Sequence, residues 1–165
     1  MPSLGFAHVY DYSGDGESVA LPVVLRSGAR QVHLAASVDT GASFCLFSGE
    51  IAEALGLNLE DGVRRRFRTA NSGFDTFGQE VELSVLGIAT TPVVYFFADS
   101  MMDKNVLGRT GWLDRVRIGS VHHDNRVYLA PYDQDRFPHS PSPAIARCSG
   151  LVGNGTGAEA RGSDI

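Results

Sequence analysis

Cysteine, tryptophan and long helical patterns are all scarce in this 165-residue chain, which contains two cysteines and one tryptophan. Cys45 and Cys148 form no disulfide framework. Cys45 is interpreted as a small buried residue rather than a nucleophile, because free cysteine is usually buried. The 19 glycines favour a β-rich fold with many turns.

An excess of positive charge and a long apolar run are also missing. The formal net charge of -5 argues against a general nucleic-acid-binding protein. No apolar run approaches the ~18 residues that a membrane-spanning helix needs, and no basic-then-apolar leader opens the sequence. We therefore expect a soluble, cytoplasmic protein without nucleic-acid or membrane partners. The hydrophobic content of 43% and charged content of 20% are typical of a globular domain.

The most informative stretch that is present is SVDTGAS at 37–43. Apolar side chains alternate along 31–38, which predicts a strand that delivers Asp39 to its end. Thr40 supplies a small hydroxyl, and Gly41 permits a tight turn or close approach of another backbone. An acid held at a strand end by such a turn suits a carboxylate that acts on a substrate.

One carboxylate is not enough for hydrolysis of a peptide bond by acid–base chemistry. One must activate water while a second protonates the carbonyl oxygen, and two close carboxylates can share one proton. The DTG triplet occurs once in the chain. If Asp39 is catalytic, its partner must be Asp39 of a second, identical chain across a two-fold axis.

VDTGAS at 38–43, together with Asn105-Val106-Leu107-Gly108-Arg109 downstream, resembles the retropepsin-like aspartic proteases, which include the retroviral proteases and small cellular and bacterial relatives. The resemblance covers roughly 20–132. It implies a mainly β, closed-barrel acid-protease fold with one or two short helices and a flap hairpin. The site residues that it implies are catalytic Asp39, loop-supporting Thr40, Gly41, Ala42 and Ser43, and structural support from Val106, Leu107, Gly108 and Arg109.

The flap is predicted in the hairpin formed by strands at 63–70 and 74–86. Its turn and the residue after it would bind substrate, namely Asn71, Ser72, Gly73 and Phe74. The alternative is an ordinary surface hairpin whose Phe residues join the core. The basic residues on its first strand are interpreted as a solvated edge rather than a phosphate or nucleic-acid patch, and they are Arg64, Arg65, Arg66 and Arg68.

Ser43 departs from the family pattern, which has an acid four residues after the catalytic Asp. The usual Arg–carboxylate contact is therefore in doubt, and we expect Arg109 to find another acceptor, such as backbone carbonyls. His122-His123-Asp124 is interpreted as a polar turn rather than a zinc site, because zinc ligands usually come from separated positions. No metal or cofactor is predicted.

Further elements complete the predicted protease domain at 1–132. A short helix is predicted at 50–55, capped by Ser48 and ended by Gly56, and a second short helix at 111–116. Trp112, in the second helix, is expected in the core or in a dimer interface. A final strand pair is predicted at 117–121 and 126–129, followed by a flexible Pro/Ser/Gly-rich tail at 133–165.

The leading hypothesis is a homodimeric aspartic endopeptidase that hydrolyses peptide bonds with one Asp39 from each chain. A second hypothesis is a catalytically silent retropepsin-like module for peptide binding or dimerisation, which the Ser43 departure allows. A third is an unrelated small β-barrel that binds a small ligand, with DTG as a chance turn.

Overall fold

Strands dominate the computed structural model of this chain, which describes residues 4–12, 18–68, 73–99 and 102–133. In chain order the strands are β1 (His8–Asp11), β2 (Ala20–Ser27), β3 (Arg30–Val38), β4 (Leu46–Phe47), β5 (Val63–Arg68), β6 (Gly73–Glu80), β7 (Glu82–Val85), β8 (Ile88–Thr90), β9 (Val93–Phe97), β10 (Val106–Leu107), β11 (Val116–Val121) and β12 (Arg126–Pro131). The helices are short: α1 (Gly49–Ala54) and 3₁₀ turns at Leu59–Asp61, Leu113–Arg115 and His122–Asp124.

Two sheets are formed by these strands. The larger has nine strands in the order β5-β6-β9-β4-β10-β3-β2-β7-β8 and curls into a half-barrel. The smaller has the order β1-β12-β11. The predicted mainly β fold with short helices is confirmed. No helix in the described ranges is long and apolar enough to cross a bilayer.

The hairpin of β2 and β3 positions the DTG loop. Its pairs run from Ala20↔Ser37 to Ser27↔Arg30, and Gly28 turns the chain with φ +57°. The side chains of Leu21, Val23 and Leu25 on β2 are buried, which is the period-2 pattern of a half-buried strand. The hairpin therefore anchors the strand that leads to Asp39 in the core.

A distant segment lies beside the end of that strand. β10 pairs in parallel with β3, matching Val106 with Ser37 and Leu107 with Val38. It also pairs antiparallel with β4 through Val106 and Leu46. The strands before and after the loop at 39–43 are thus joined through β10.

The core is centred on large side chains from several of these strands. Trp112, Phe47, Phe96 and Leu107 are all fully buried. Trp112, which was expected in the core or in a dimer interface, therefore lies in the core of this chain. Its indole Nε1–H has no hydrogen-bond partner among the described residues.

The predicted helix after the loop is confirmed as α1. Ser48 occupies the N-cap position without a side-chain cap, and its amide instead donates to Asn105 Oδ1 at 3.2 Å. Gly56 follows the helix with φ +72°, a conformation that glycine adopts without steric cost.

Some predicted element boundaries were wrong. The run at 74–86 is not one strand, because β6 ends at Glu80 and β7 starts at Glu82, where the chain crosses to pair with β2. The predicted turn region that follows contains β8. In the stretch at 111–116, only Leu113–Arg115 is helical. Gly111 has φ +101°, and Val116 is the first residue of β11, where it pairs with Pro131 of β12.

The predicted final strand pair is confirmed as β11 and β12, and β1 adds a third strand that the sequence did not indicate. The described residues belong to one compact unit. Apart from Asp133, the predicted tail lies outside the described residues.

Candidate active site

Asp39 lies directly after β3, and its own turn fixes its carboxylate. Its Oδ1 accepts hydrogen bonds from the backbone amides of Gly41 at 2.8 Å and Ala42 at 3.2 Å. A Cβ at Gly41 would lie only 3.1 Å from this oxygen, so glycine lets the amide approach closely. The Asp39 amide donates to the carbonyl of Leu107 at 3.1 Å, which ties the turn to β10.

The loop presents its polar groups at the surface of this chain. Asp39, Thr40, Gly41 and Ser43 are exposed, and Ala42 is half-buried. Within the described ranges, neither a cation nor a hydrogen-bond donor contacts the second oxygen, Oδ2, of Asp39. One oxygen is therefore held by amides while the other remains available for a proton, a water or a second carboxylate.

Behind the loop, the segment after β10 packs backbone against backbone. A Cβ at Gly108 would overlap the carbonyl of Phe44, so only glycine fits. The amide of Arg109 donates to the Ala42 carbonyl at 3.0 Å, and the amide of Thr110 donates to the Ser43 carbonyl at 2.9 Å. The loop therefore has a fixed backbone support, to which Val106 and Leu107 contribute through β10.

The side chain of Arg109 reaches the position at which the sequence departs from the family pattern. Its Nη2 donates to the Ser43 hydroxyl at 3.1 Å. The acceptor is thus Ser43 itself, rather than the backbone carbonyls that the sequence suggested. The contact joins the same two positions, but with a neutral acceptor, which gives a weaker hydrogen bond than a carboxylate would.

The hairpin predicted as a flap is formed by β5 and β6, with Phe67 paired to Phe74 and Arg68 to Gly73. Gly73 is exposed and Phe74 is half-buried. Asn71 and Ser72, the predicted turn residues, lie outside the described residues. The hairpin shape is present, and its action on a substrate remains a prediction.

Five rings link this hairpin to the loop, and we call them the aromatic cluster: Phe44, Phe67, Phe74, Tyr95 and Phe97. The centroid of each ring lies 5.0–5.7 Å from the centroid of at least one other ring of the cluster. Tyr95 and Phe97 project from the face of β9 opposite the core residues Val94 and Phe96. Phe67 and Phe74 of the hairpin thus contact an aromatic group on this face of β9, whereas Phe77 pairs with the core residue Phe96.

Only Phe74 among these rings was predicted as a site residue, and Phe44, Phe67, Tyr95 and Phe97 were not. Phe44 directly follows the DTGAS stretch, and Tyr95 lies in the apolar run predicted as a buried strand. The signal for Tyr95 was Gly78, which pairs with it across the sheet, and a Cβ there would come within 2.8 Å of the tyrosine ring.

Cys45 is fully buried, as predicted, behind the loop. Burial raises the pKa of its thiol to about 11. The thiol points toward the carbonyls of Gly108 and Thr110, with Sγ to oxygen distances of 4.0 and 3.8 Å. A protonated thiol enclosed in this way is not a nucleophile.

The His-His-Asp run forms a 3₁₀ turn at His122–Asp124. The ring nitrogen Nδ1 of His122 is hydrogen bonded to the Tyr12 hydroxyl at 2.7 Å. In the part of the chain that the structure describes, no group of three or more His, Cys, Asp or Glu side chains is arranged to hold a metal ion.

One family model and two solved structures are similar to this chain. A family model described as aspartyl protease matches residues 22–111. A retropepsin-like aspartic protease from Rickettsia conorii superposes with a TM-score of 0.53 at 19% identity, covering 78% of this chain and all of that one. EIAV protease in complex with the inhibitor HBY-793 gives a TM-score of 0.44 at 15% identity, covering 59% of this chain and 88% of that one. No curated protein is significantly similar in sequence.

Proposed function

This chain belongs to the aspartyl protease family, and from that premise we propose that it is an aspartic endopeptidase whose dyad pairs Asp39 of two identical chains. One observation carries the proposal: the Asp39 carboxylate lies at the exposed end of β3 with Oδ1 held by two amides. A single chain supplies one such group, so the second comes from a two-fold partner. The substrate is a peptide or protein, and no cofactor takes part.

The reaction follows from two carboxyl groups that share one proton. The ionised Asp39 takes a proton from a water as its oxygen attacks the scissile carbonyl carbon. The protonated Asp39 of the other chain donates to the carbonyl oxygen, which gives a neutral tetrahedral intermediate. As the C–N bond breaks, the Asp39 that took the proton from water gives it to the leaving amine, and the ionised Asp39 of the other chain takes a proton from a hydroxyl of the intermediate. The pair thereby returns to its starting state.

The surrounding residues would position this chemistry. The amides of Gly41 and Ala42 hold one oxygen of each carboxylate, so the other faces the reacting water. Thr40 would brace the loop across the dimer axis, as the resemblance to retropepsins implies. The hairpin of β5 and β6 would close over bound peptide and exclude bulk water.

The direct test is the variant Asp39→Asn. An amide cannot act as the base, so we expect peptide cleavage to fall by at least about 10³-fold while the chain still dimerises. Cleavage is read from a peptide mixture by mass spectrometry, and assembly by analytical ultracentrifugation. Full cleavage by the variant would exclude the proposal.

Asp103→Asn is the matched control, because Asp103 is an exposed aspartate outside the loop at 39–43. It should leave cleavage unchanged. Activity per chain should also fall on dilution below the dimer dissociation constant, whereas a fully active monomer would contradict the shared dyad.

One observation favours a second candidate, a silent peptide-binding or dimerisation module. Arg109 contacts a neutral serine at the position where the family pattern has an acid. Peptide binding without cleavage across pH ~4–7, the range in which dyads that share a proton can work, would support this candidate.

A further inference from the structure

Arg65 differs in its surroundings from the other arginines of the hairpin formed by β5 and β6. It projects from β5 on the side that contacts Phe44, the residue directly after the loop at 39–43. Its Cζ atom lies 4.4 Å from the centroid of the Phe44 ring, 5.6 Å from that of Phe67 and 5.7 Å from that of Tyr95. Three members of the aromatic cluster therefore surround one guanidinium.

A hydrogen bond fixes the orientation of this group. Nη1 of Arg65 donates to the Tyr95 hydroxyl at 3.1 Å, and Tyr95 is itself buried. Stacking on rings and a directed hydrogen bond together limit the rotamers that the side chain can adopt. Little further conformational entropy is lost when such a pre-positioned guanidinium binds a ligand.

The charge of Arg65 is not matched within the described part of the chain, where no carboxylate forms an ion pair with it. The neighbours Arg64 and Arg66 differ, because Asp75 pairs with them at 3.0 and 3.6 Å. Alternation along the strand places those two on the opposite side of β5 from Arg65. Arg65 thus keeps unused N–H donors, and its side of the strand carries unbalanced positive charge.

A short extended peptide would span the distance between Arg65 and Asp39 of the candidate dyad. Phe44 lies five positions after Asp39, and a fully extended chain spans at most ~3.6 Å per residue, so their Cα atoms lie within about 18 Å. An extended substrate that crosses Asp39 and runs toward Phe44 would reach Arg65 within roughly six residues of the scissile bond.

We propose that Arg65 selects substrates carrying an acidic side chain a few residues from the bond to be cut. The inference rests on the proposed function, in which a peptide binds across Asp39 beneath the hairpin of β5 and β6. An Asp or Glu carboxylate would accept from the free edge of the guanidinium, opposite the hydrogen bond to Tyr95, while the rings hold the guanidinium plane. Bidentate pairing of this kind is the recognition for which arginine is suited.

The test separates selection from catalysis by using Asp39→Asn protein, which is expected to bind peptides without cutting them. A random decapeptide library is passed over the immobilised protein, and the retained peptides are sequenced. We expect Asp or Glu to be enriched about tenfold at one position, the ratio that a charge-assisted hydrogen bond supports. The enrichment should decline with added salt.

Matched variants assign the effect to one side chain. Adding Arg65→Gln should abolish the enrichment, whereas adding Arg64→Gln, on the opposite side of the strand, should leave it intact. Arg65→Lys, which keeps the charge but not the fork, should retain part of it. Tyr95→Phe keeps the ring, removes only the hydroxyl that orients Arg65, and should also retain part. Unchanged thermal unfolding midpoints show that the Arg64 and Arg65 variants are folded.

The outcomes distinguish this inference from the proposed function. Acid-enriched binding that depends on Arg65, without cleavage by the unmodified protein, would overturn the protease proposal and leave the selection in place. Enrichment that survives Arg65→Gln, retention without acidic enrichment, or no retention of any peptide would each overturn the role of Arg65.

Discussion

The loop at 39–43 and the hairpin of β5 and β6 meet at Phe44, but different contacts hold them in place. The loop is supported by backbone hydrogen bonds from Leu107, Arg109 and Thr110 and by a glycine packed against a carbonyl. The hairpin joins the sheet through the pairing of β6 with β9, and its side chains contact Phe44 and Phe97 through aromatic rings. Its exposed Arg–Asp pairs lie within the hairpin itself. Most substitutions leave a backbone hydrogen bond in place, whereas a side-chain contact changes whenever its side chain is replaced.

This difference fits the two tasks that the proposed function assigns. A carboxylate that must meet its mate across a two-fold axis needs a fixed position, because a displacement of about 1 Å can cost 10²-fold in rate. A hairpin that admits substrate must contact side chains that vary between substrates. Because Gly108 packs directly against the Phe44 carbonyl, a methyl group added there should disturb the loop more than the loss of an exposed ion pair disturbs the hairpin.

The largest effect is expected from Gly108→Ala. The added methyl would overlap the Phe44 carbonyl, so the support behind the loop must move. We expect a loss of about 3 kcal/mol in unfolding free energy, the upper part of the range for overpacking, together with loss of cleavage. Urea denaturation and a peptide cleavage assay measure the two.

Gly28→Ala is the control for this prediction. Gly28 has φ +57° but open space around it, so an added methyl costs only backbone strain, about 1 kcal/mol. Equal destabilisation by the two substitutions would show that the packing behind the loop is not special.

A smaller effect, of about 2 kcal/mol, should come from Cys45 at alkaline pH. The pKa of the thiol is raised from 9.0 to about 11 in the folded chain, so the unfolded chain loses this proton first. The stability conferred by the neutral buried thiol is therefore present below pH 9 and is lost as the pH rises toward 11.

The measurement is the unfolding free energy between pH 8 and 11, compared with that of Cys45→Ala, both in a Cys148→Ser background. The extra decline should vanish in the alanine variant. Parallel pH curves for the two proteins would show that the space behind the loop is open to water.

Ser43→Asp should strengthen the contact between Arg109 and the loop. A carboxylate in place of the hydroxyl turns a neutral acceptor into a charged one, and both groups are exposed. We expect a gain of about 0.5 kcal/mol that disappears at high salt. Thermal unfolding at two salt concentrations measures it, and the gain should be absent when Arg109→Ala is added.

The smallest effect is expected on the hairpin, from Asp75→Asn. This change removes the acceptor of both Arg64 and Arg66, whose side chains are 69% and 67% exposed. Exposed pairs contribute little, so the unfolding free energy should change by less than about 0.5 kcal/mol. A loss as large as that from Gly108→Ala would reverse the comparison between hairpin and loop.

Much of the fold could be read from local patterns. Alternating apolar residues located β3, the final strand pair was also predicted, and Gly56 marked the end of α1. The pattern was less informative where the chain passes from one strand to the next without a glycine or proline, as at the junction of β6 and β7. A break there depends on which strand each half pairs with, and that is a tertiary property.

The candidate site divides in the same way. Asp39, its DTG turn and the partner segment ending at Arg109 were identifiable from residue types and a resemblance, because the turn needs an acid, a small hydroxyl and a glycine in consecutive positions. The aromatic cluster and the ring-bound Arg65 were not, since their members come from strands far apart in the chain. The predicted homodimer, cytoplasmic location and domain limits stay predictions.

The sequence by itself thus determined a β-rich chain of the aspartyl protease family with one DTG loop, because strand alternation and turn chemistry are local properties. Only the tertiary structure determined which residues pack behind and beside that loop. β10 inserts between β3 and β4, Gly108 meets Phe44, and Arg109 finds the Ser43 hydroxyl. Such contacts join residues distant in the chain, and their geometry is set by the packing of the whole sheet rather than by neighbouring residues.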